Sequence, residues 1–327
     1  MKEISQDGLV CAVDLGGTNL RAATVDREGK IDARARLPTP ETNDPNEIVS
    51  AISSAVVECS TQALAAGARV EAVAIVVPGS VHAKSGLVVN APNVPAIVDF
   101  ALTEALTSTL QTSILLENDA NAAAVGEMFR GAGRDFSTIV CFTLGTGVGS
   151  GVILNGELWR GIDGTGGEIG HTSANPFSDV QCKCGNYGCL EVYASATALV
   201  RMAREFSSHY PDSALHRLGS GPLTAREIAT AAQQDDSCAL AVFEKMGIHL
   251  GVVMANVVNT FNPEAIVIGG GVSAAFDLFA ARAREEMMRR AFPVPAQRCQ
   301  LLKAECGDDA GLLGAAWLAF QPNKETV

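Results

Sequence analysis

Apolar residues in this chain form short continuous runs that are separated by glycine-containing turns. Near the start, the runs are Leu9–Asp14, Leu20–Val25 and Ile31–Leu37, with Gly16-Gly17 and Gly29 in the turns between them. Apolar runs of this length, bounded by turn residues, are typical of buried β-strands. The pattern therefore predicts three strands joined by tight turns.

The opening pattern recurs about 130 residues further along the chain. Here the predicted strands are Thr138–Leu144, Gly151–Leu154 and Glu157–Arg160, separated by the turns Gly145–Gly149 and Asn155-Gly156. An Asn-Gly pair between apolar runs is a strong hairpin signal. Repetition of one supersecondary unit predicts two related domains.

Longer helical segments alternate with the other predicted strands. The predicted helices are Pro45–Ala66, Ala120–Phe129, Ser237–Phe261, Phe276–Arg290 and Asp308–Phe320. The further predicted strands are Val70–Val77, Ile114–Glu117 and Glu264–Ile268. Alternation of strands and helices is typical of α/β proteins, and the hairpins make the sheets mixed rather than purely parallel.

Composition narrows the possible partners. The 327 residues are 47% hydrophobic and carry a net charge of −12. Nucleic acids and anionic membranes need a basic surface, so neither is expected as a partner. Nine cysteines in a chain of this length do not indicate a secreted disulfide framework, and no stretch resembles a signal peptide or a membrane span. We therefore expect a soluble, cytoplasmic protein.

One histidine and three cysteines are spaced as metal ligands. His171 is followed by Cys182, Cys184 and Cys189. One imidazole and three thiolates suit a closed, tetrahedral structural zinc site. The two glycines between Cys184 and Cys189 permit the turns that bring three sulfurs together. The alternative is that these thiols are buried or incidental.

Both repeated units place a glycine turn directly after their first strand. Asp14 precedes Gly16-Gly17-Thr18 in the first unit, and the second contains Gly145-Thr146-Gly147. Glycines let backbone N–H groups approach a phosphate, and an acid beside them could hold hydrated Mg²⁺. Two such turns facing one cleft would form a phosphate clamp, although a single glycine hairpin is more often only a hairpin.

A third glycine run, Gly269-Gly270-Gly271, follows an apolar strand and, with Ala274, formally matches a dinucleotide-binding pattern. The match is poor because the next acids, Glu285 and Glu286, lie inside a predicted helix rather than at a strand end. A turn beside an adenosine fits the run better. A dehydrogenase built on it is kept as an alternative.

Asn118-Asp119 lies between a predicted strand and a predicted helix. The functional interpretation is that Asp119 is a general base for a hydroxyl nucleophile, which phosphoryl transfer requires. The alternative is that the aspartate only caps the helix. Glu168 and Glu191 flank the cysteine cluster and are expected to hydrogen-bond a polyol ligand. His171 could bind zinc with one ring nitrogen and a ligand hydroxyl with the other.

Together these segments resemble the ROK family of bacterial sugar kinases and repressors. The matching segments, in family order, are Asp14–Arg21, Glu117–Ala124, Leu144–Gly149, Gly167–His171, Cys182–Glu191 and Asn262–Gly271. The resemblance implies an α/β fold of two ribonuclease-H-like domains of the actin/hexokinase-like type, with a zinc-stabilised loop and with sugar and ATP in the cleft. It implies a small domain of residues 1–118 plus 308–327 and a large domain, 119–307, that contains the zinc site.

The resemblance also implies a role for each candidate residue. ATP would donate its γ-phosphate to a sugar hydroxyl, with Asp119 as catalytic base and Asp14 helping to hold Mg²⁺. The implied sugar contacts are Asn93, Asn118, Glu168, His171 and Glu191. The implied phosphate-binding residues are Gly16, Gly17, Thr18, Gly145, Thr146 and Gly147, with Gly269, Gly270 and Gly271 on the adenosine side. The implied zinc ligands are His171, Cys182, Cys184 and Cys189.

Glucose is the sugar that the resemblance favours, with transfer to its 6-hydroxyl, because Gly188–Ala198 is most similar to the family's glucokinases. Those usually carry a Trp shortly after the Pro-Asn segment, where this chain reads Val94–Phe100. N-Acetylmannosamine, N-acetylglucosamine, mannose and fructose are therefore alternative substrates, and a non-catalytic sugar sensor is the alternative function. Repressor members carry an N-terminal DNA-binding domain, for which the position of Asp14 leaves no room. A homo-oligomer, dimer or tetramer, is expected.

Overall fold

The fold is built on two five-stranded mixed sheets. The computed structural model describes residues 4–82, 85–218 and 221–321. The strands are β1 (Gly8–Leu15), β2 (Asn19–Val25), β3 (Ile31–Pro38), β4 (Arg69–Val77), β5 (Ser80–His82), β6 (Leu87–Asn90), β7 (Ser113–Asn118), β8 (Ile139–Leu144), β9 (Val148–Leu154), β10 (Glu157–Trp159), β11 (Ala265–Gly269) and β12 (Gln300–Lys303). The helices are α1 (Pro45–Ala65), α2 (Leu102–Leu110), α3 (Asp119–Arg130), α4 (Glu191–Ala194), α5 (Ala196–Ser207), α6 (Ala214–Leu218), α7 (Ala225–Gln233), α8 (Ser237–Phe261), α9 (Phe276–Arg290), α10 (Pro293–Arg298) and α11 (Ala310–Phe320).

The two sheets have the same strand order. The first is β3-β2-β1-β4-β7 and the second is β10-β9-β8-β11-β12. In each, three strands form antiparallel hairpins and the last two continue in parallel from the central strand. The repeated unit predicted from the sequence is therefore confirmed, and so are the mixed sheets.

The sequence pattern does not predict several short elements. These are β5, β6, β12, α2 and α10, which are three to nine residues long. β12 is an edge strand with no fully buried residue, so it lacks an apolar run. The turn after β8 is also shorter than predicted: Leu144 pairs with Val148, so β9 begins within the predicted turn.

Helices α1 and α8 cover the sheets. The buried residues of α1, which include Ile48, Ile52 and Val56, recur at helical spacing and pack on the first sheet. α8 is buried on most of its surface and packs on the second sheet. Both helices are long and apolar enough to cross a membrane by length and composition alone, but in this fold their apolar faces are used as core surfaces.

Helices α3 and α11 connect the two sheets. Ala122 of α3 packs with residues of the first sheet, whereas Val125 of the same helix packs with residues of the second. Leu312 of α11 packs on the first sheet. The predicted small domain combines residues 1–118 with residues 308–327, and it therefore requires α11 to pack on the first sheet. That division stays a prediction, and its ends at residues 1–3 and 322–327 lie outside the described residues.

Candidate active site

A cavity of about 430 Å³ is lined by strand ends and turns from both halves of the molecule. Of the predicted site residues, it is lined by Asn93, Asn118, Asp119, Gly145, Thr146, Gly147, Glu168, His171, Glu191 and Gly270. The predicted residues that do not line it are Asp14, Gly16, Gly17, Thr18, Gly269, Gly271 and the three cysteines Cys182, Cys184 and Cys189. The structure thus brings the predicted base and all the predicted sugar contacts to one cavity.

Asp119 is the first residue of α3, directly after β7 ends. The preceding Asn118 caps the helix, since its Oδ1 accepts a hydrogen bond from the backbone N–H of Asn121 at 2.9 Å. The Asn118 Nδ2 donates to the Gly79 carbonyl at 2.8 Å and to Asp119 Oδ1 at 3.0 Å. The capping role that was the alternative for Asp119 therefore belongs to Asn118, and Asp119 lines the cavity.

The surroundings of Asp119 raise its pKa to about 6. The main cause is desolvation by the protein groups packed around the carboxylate, although Asp119 is exposed to solvent in the open cavity. The negative charges of Asp14 and Glu168 raise the pKa further, while the N–H of Ala120, which donates to Oδ1 at 2.9 Å, opposes the rise. A carboxylate with such a pKa is suited to accept a proton near neutral pH.

Two residues that sequence reasoning missed, Arg160 and Asn121, hold the segment before Asp119. Glu117 is 1% exposed, and its Oε2 accepts hydrogen bonds from Arg160 Nε at 2.8 Å and Nη2 at 2.7 Å. Its Oε1 accepts from the N–H of Asn118 at 3.1 Å and from Asn121 Nδ2 at 3.0 Å. The signal available in the sequence was an acid at the end of an apolar strand, because a buried carboxylate needs a charged partner.

The turn Gly145–Gly147 forms one wall of the cavity. The start of α5 fixes this turn, because Ala196 N–H donates to the Gly145 carbonyl at 2.8 Å and Thr197 Oγ1 donates to the Thr146 carbonyl at 2.9 Å. A Cβ at position 147 would lie 2.4 Å from Glu191 Oε2, so a larger residue there would displace that carboxylate from its position. The position of the Glu191 carboxylate therefore depends on the glycine in this turn.

The first glycine turn lies beside the cavity rather than in its wall. Asp14 on β1 is ion-paired with Arg21 on β2, so its carboxylate already has a cationic partner. A Cβ at Gly17 would lie 2.9 Å from the Asn93 carbonyl oxygen. This turn thus packs against the loop that carries Asn93.

In the third glycine run, Gly270 alone lines the cavity. Gly270 has φ of +78°, and a Cβ there would lie 2.5 Å from the Leu144 carbonyl oxygen. Its two neighbours have other positions, since Gly269 is the buried end of β11 and Gly271 begins a 3₁₀ turn. The run therefore lies against the end of β8, next to the Gly145 turn.

The predicted zinc ligands form a compact cluster. The ligand atoms of His171, Cys182, Cys184 and Cys189 all lie within 4.8 Å of one another. Cys182 Sγ is 3.6 Å from His171 Nδ1, and Cys184 Sγ is 3.7 Å from Cys189 Sγ. Tetrahedral zinc bonds to sulfur and nitrogen require separations of about 3.5–3.8 Å between ligand atoms. The geometry of the donor set therefore fits a zinc ion.

Two glycines shape the loop that carries the three sulfurs. Gly185 and Gly188 have φ of +94° and +66°, values that favour glycine. A Cβ at Gly188 would also lie 2.0 Å from the Asn175 carbonyl oxygen, whereas one at Gly185 would meet nothing within 4 Å. Gly188 is thus required by both conformation and space.

His171 and Glu191 join this cluster to the cavity. His171 directs Nδ1 toward Cys182, and its Nε2 is 4.0 Å from Glu168 Oε2. Glu191 Oε1 lies 3.4 Å from Cys182 Sγ, and its Oε2 accepts from the Val148 N–H at 3.1 Å. His171 and Glu191 thus lie between the cluster and the cavity, since both contact Cys182 and both line the cavity.

Comparison with known proteins identifies the relatives of this chain. The sequence profile of the ROK family matches residues 10–322. A glucokinase of Halalkalibacterium halodurans is 35% identical over 311 residues, covering 94% of each chain. An N-acetylmannosamine kinase of Shigella flexneri is 33% identical over 313 residues, covering 95% of this chain and 98% of the relative.

The same relationship holds for the fold. The crystal structure of a ROK family glucokinase from Streptomyces griseus in complex with glucose and AMPPNP is 37% identical, with a TM-score of 0.80, and covers 95% of this chain and 99% of that one. This similarity confirms the predicted sugar-kinase fold of the actin/hexokinase-like type. From its profile, its relatives and its fold, this chain belongs to the ROK family.

Proposed function

We propose that this protein phosphorylates a hexose with ATP and that glucose, converted to glucose 6-phosphate, is its substrate. The observation that carries the proposal is the position of Asp119, whose pKa is raised to about 6 in a cavity that Glu168, His171, Glu191 and a glycine turn also line. A base, polyol-binding groups and a phosphate-binding turn are the three components that phosphoryl transfer to a sugar needs.

In the proposed reaction Asp119 accepts the proton of the attacking sugar hydroxyl. Asn118 and Ala120 hold its Oδ1 through hydrogen bonds of 3.0 and 2.9 Å, which fixes the carboxylate at the start of α3. The Glu117–Arg160 pair fixes the strand end that precedes it. This positioning is the contribution that the protein makes to a reaction whose transition state is mainly stabilised by orientation and electrostatics.

The proposed sugar contacts are Asn93, Asn118, Glu168, His171 and Glu191, all of which line the cavity. Two carboxylates, two amides and an imidazole offer the acceptors and donors that sugar hydroxyls need. Because Asn118 Oδ1 caps α3 and Nδ2 donates to the Gly79 carbonyl and to Asp119, a sugar hydroxyl would replace one of the two Nδ2 hydrogen bonds. AMPPNP in the Streptomyces griseus structure supports ATP as the donor.

Mg²⁺ is proposed as the companion of ATP. Asp14 is close enough to Asp119 for its negative charge to raise the pKa of Asp119, and two such carboxylates attract a cation. When bound, the metal would neutralise charge on the transferred phosphoryl group. Asp14 would then share its carboxylate between the metal and Arg21.

Structural zinc at His171, Cys182, Cys184 and Cys189 is a separate proposal, supported by the geometry of the cluster. Structural zinc contributes on the order of 10 kcal/mol to the folding of small zinc domains. We expect Cys184→Ala to lose zinc, to lower the melting temperature and to weaken sugar binding together, because Glu191 and His171 depend on the cluster. Metal content by atomic absorption, calorimetric sugar titration and thermal denaturation test this.

The matched control for zinc is Cys306→Ala, since Cys306 is a partly exposed cysteine outside the cluster. It should keep zinc and sugar affinity. A Cys184→Ala variant with unchanged melting temperature and sugar affinity would overturn the structural role.

The test of the function is an ADP-release assay with ATP and Mg²⁺ on glucose, mannose, fructose, N-acetylglucosamine and N-acetylmannosamine. We expect kcat/KM for glucose to exceed the others at least about tenfold. The similarity to an N-acetylmannosamine kinase makes that sugar the second candidate, and a preference for it would reassign the substrate. Calorimetric sugar binding without ADP release would indicate the sensor alternative.

Asp119→Asn tests the base, and Asp277→Asn is its control because Asp277 is an exposed aspartate in the first turn of another helix, α9. Loss of the base should lower kcat by a factor of about 10² to 10⁴ with little effect on sugar binding. Asp277→Asn should behave as the wild type. Near wild-type turnover of folded Asp119→Asn would refute the base assignment.

A cytoplasmic homo-oligomer with no nucleic-acid or membrane partner completes the proposal. The net charge of −12 supports the absence of a nucleic-acid or membrane partner. The almost fully exposed side chains of Ile162 and Phe177 support association between copies. Light scattering coupled to gel filtration measures the oligomeric state.

A further inference from the structure

We propose that Ser150 is a positioning residue that holds Glu168 in place and thereby sets the affinity for the sugar. The inference rests on the proposed sugar-kinase function and on Glu168 as a sugar contact. Ser150 lies in β9, on a different chain segment from Glu168, and is 7% exposed. Both residues line the cavity.

Glu168 is the central residue of a very tight turn. Its φ of −70° and ψ of 52° are those of an inverse γ-turn, and the Ile169 N–H donates to the Gly167 carbonyl across it at 2.7 Å. The Ser150 hydroxyl bonds to both ends of this turn: Oγ donates to the Gly167 carbonyl and accepts from the Ile169 N–H at 3.1 Å. One side chain thus bridges the two peptide groups that flank Glu168.

Packing holds Glu168 itself weakly, since the residue is exposed. Gly167 and Glu168 line a second cavity of about 330 Å³, which Trp159, Val257 and Phe261 also line. Glu168 therefore has open space on two sides, because it also lines the active-site cavity. Gly167 has φ of +90° and offers no side chain to anchor the turn. The buried Ile169 anchors one end of the turn, and the hydrogen bonds of Ser150 fix the two peptide groups that set the direction in which the Glu168 side chain leaves the backbone.

The test is a double-mutant cycle of Ser150→Ala and Glu168→Gln, read by KM for glucose, KM for ATP and kcat, and in parallel by the calorimetric Kd for glucose. Loss of two hydrogen bonds should raise KM and Kd for glucose about tenfold in Ser150→Ala. The KM for ATP and kcat should stay within about twofold, because uniform sugar binding is what is lost. In the Glu168→Gln background the effect of Ser150→Ala should fall below about twofold.

Two variants separate positioning from a general loss of stability. Ser150→Thr keeps the hydroxyl and should restore the glucose KM to within about threefold of the wild type. Ser213→Ala removes a buried hydroxyl with a similar pair of bonds, to Asp236 and from the Leu215 N–H, away from both cavities. It should lower the melting temperature without changing any kinetic constant.

Three results would overturn the inference: an unchanged glucose KM in Ser150→Ala, an equal rise in the KM for both substrates, or a tenfold effect that persists in Glu168→Gln. Wild-type protein that binds glucose but turns over no sugar would refute the kinase function alone, since the calorimetric cycle still tests Ser150. Protein that neither binds nor turns over any of the five sugars would refute both.

Discussion

The properties of Asp119 follow from which residue caps α3. Because Asn118 supplies the cap, the Asp119 carboxylate keeps its place in the cavity, where desolvation and the charges of Asp14 and Glu168 raise its pKa to about 6. The motif Asn118-Asp119 can be identified from the sequence. Which of the two side chains caps α3 cannot be identified from the sequence, since either residue type is a good helix cap.

The raised pKa predicts the pH dependence of the reaction. A base works only when deprotonated, so kcat/KM for glucose should fall tenfold per pH unit below an apparent pKa of about 6. The measurement is a pH–rate profile with wild-type protein, and an acid limb centred near the ordinary aspartate pKa would contradict the assignment.

The same raised pKa affects stability in the opposite direction. Because the pKa of Asp119 is higher in the folded state than in the unfolded state, Asp119 contributes to the free energy of unfolding at low pH. This contribution is lost as pH rises through about 6.

At the scale of elements, strands and helices with long apolar patterns are predictable and short ones are not. β1, β4, β8 and α8 carry continuous or periodic apolar residues, and the structure confirms them. β12 has no fully buried residue, and its pairing with β11 is visible only in the folded sheet. The Glu117–Arg160 pair is likewise invisible in the sequence, because its partners are 43 residues apart.

The loop that carries the cysteines offers a matched test of two glycines. Both have positive φ, but only Gly188 is also blocked by a neighbouring backbone atom, the Asn175 carbonyl oxygen. We expect Gly185→Ala to cost about 1–2 kcal/mol of stability through its conformation, and Gly188→Ala to cost more than about 3 kcal/mol and to reduce zinc content. Denaturant midpoints and metal analysis of both variants measure this, and equal costs would show that space at Gly188 does not matter.

At the scale of the whole molecule, the contact of α3 with α11 sets how the two halves meet. A Cβ at Gly126 would lie 2.0 Å from the Ala310 carbonyl oxygen, and one at Gly314 would lie 1.8 Å from that of Ala122. The two helices therefore touch through their backbones. Because α3 begins at Asp119, we expect a change in this contact to move the carboxylate that we propose as the base.

Gly314→Ala should separate these helices. We expect a loss of about 2–4 kcal/mol of stability and a lower kcat, since α3 must move to admit the new methyl group. Gly311→Ala is the control on the same helix: its Cβ would meet only Val76 at 4.0 Å, so it should be neutral or stabilise by up to about 1 kcal/mol. Melting temperatures and kcat values of the two variants test this. Equal changes in both variants would exclude the backbone contact between α3 and α11 as the cause of the loss.

The sequence by itself determined the two repeated units, the glycine turns, the metal-type spacing of His171 and the cysteines, and the choice of Asp119 as the candidate base, because each depends on residues that are close together in the chain. Only the tertiary structure decided which glycines line the cavity, that Asp14 is paired with Arg21, and that Ser150 and Arg160 support residues of other segments. Those relations join elements that are distant in sequence. They are fixed by the way two sheets and two crossing helices pack, which no local pattern of residues records.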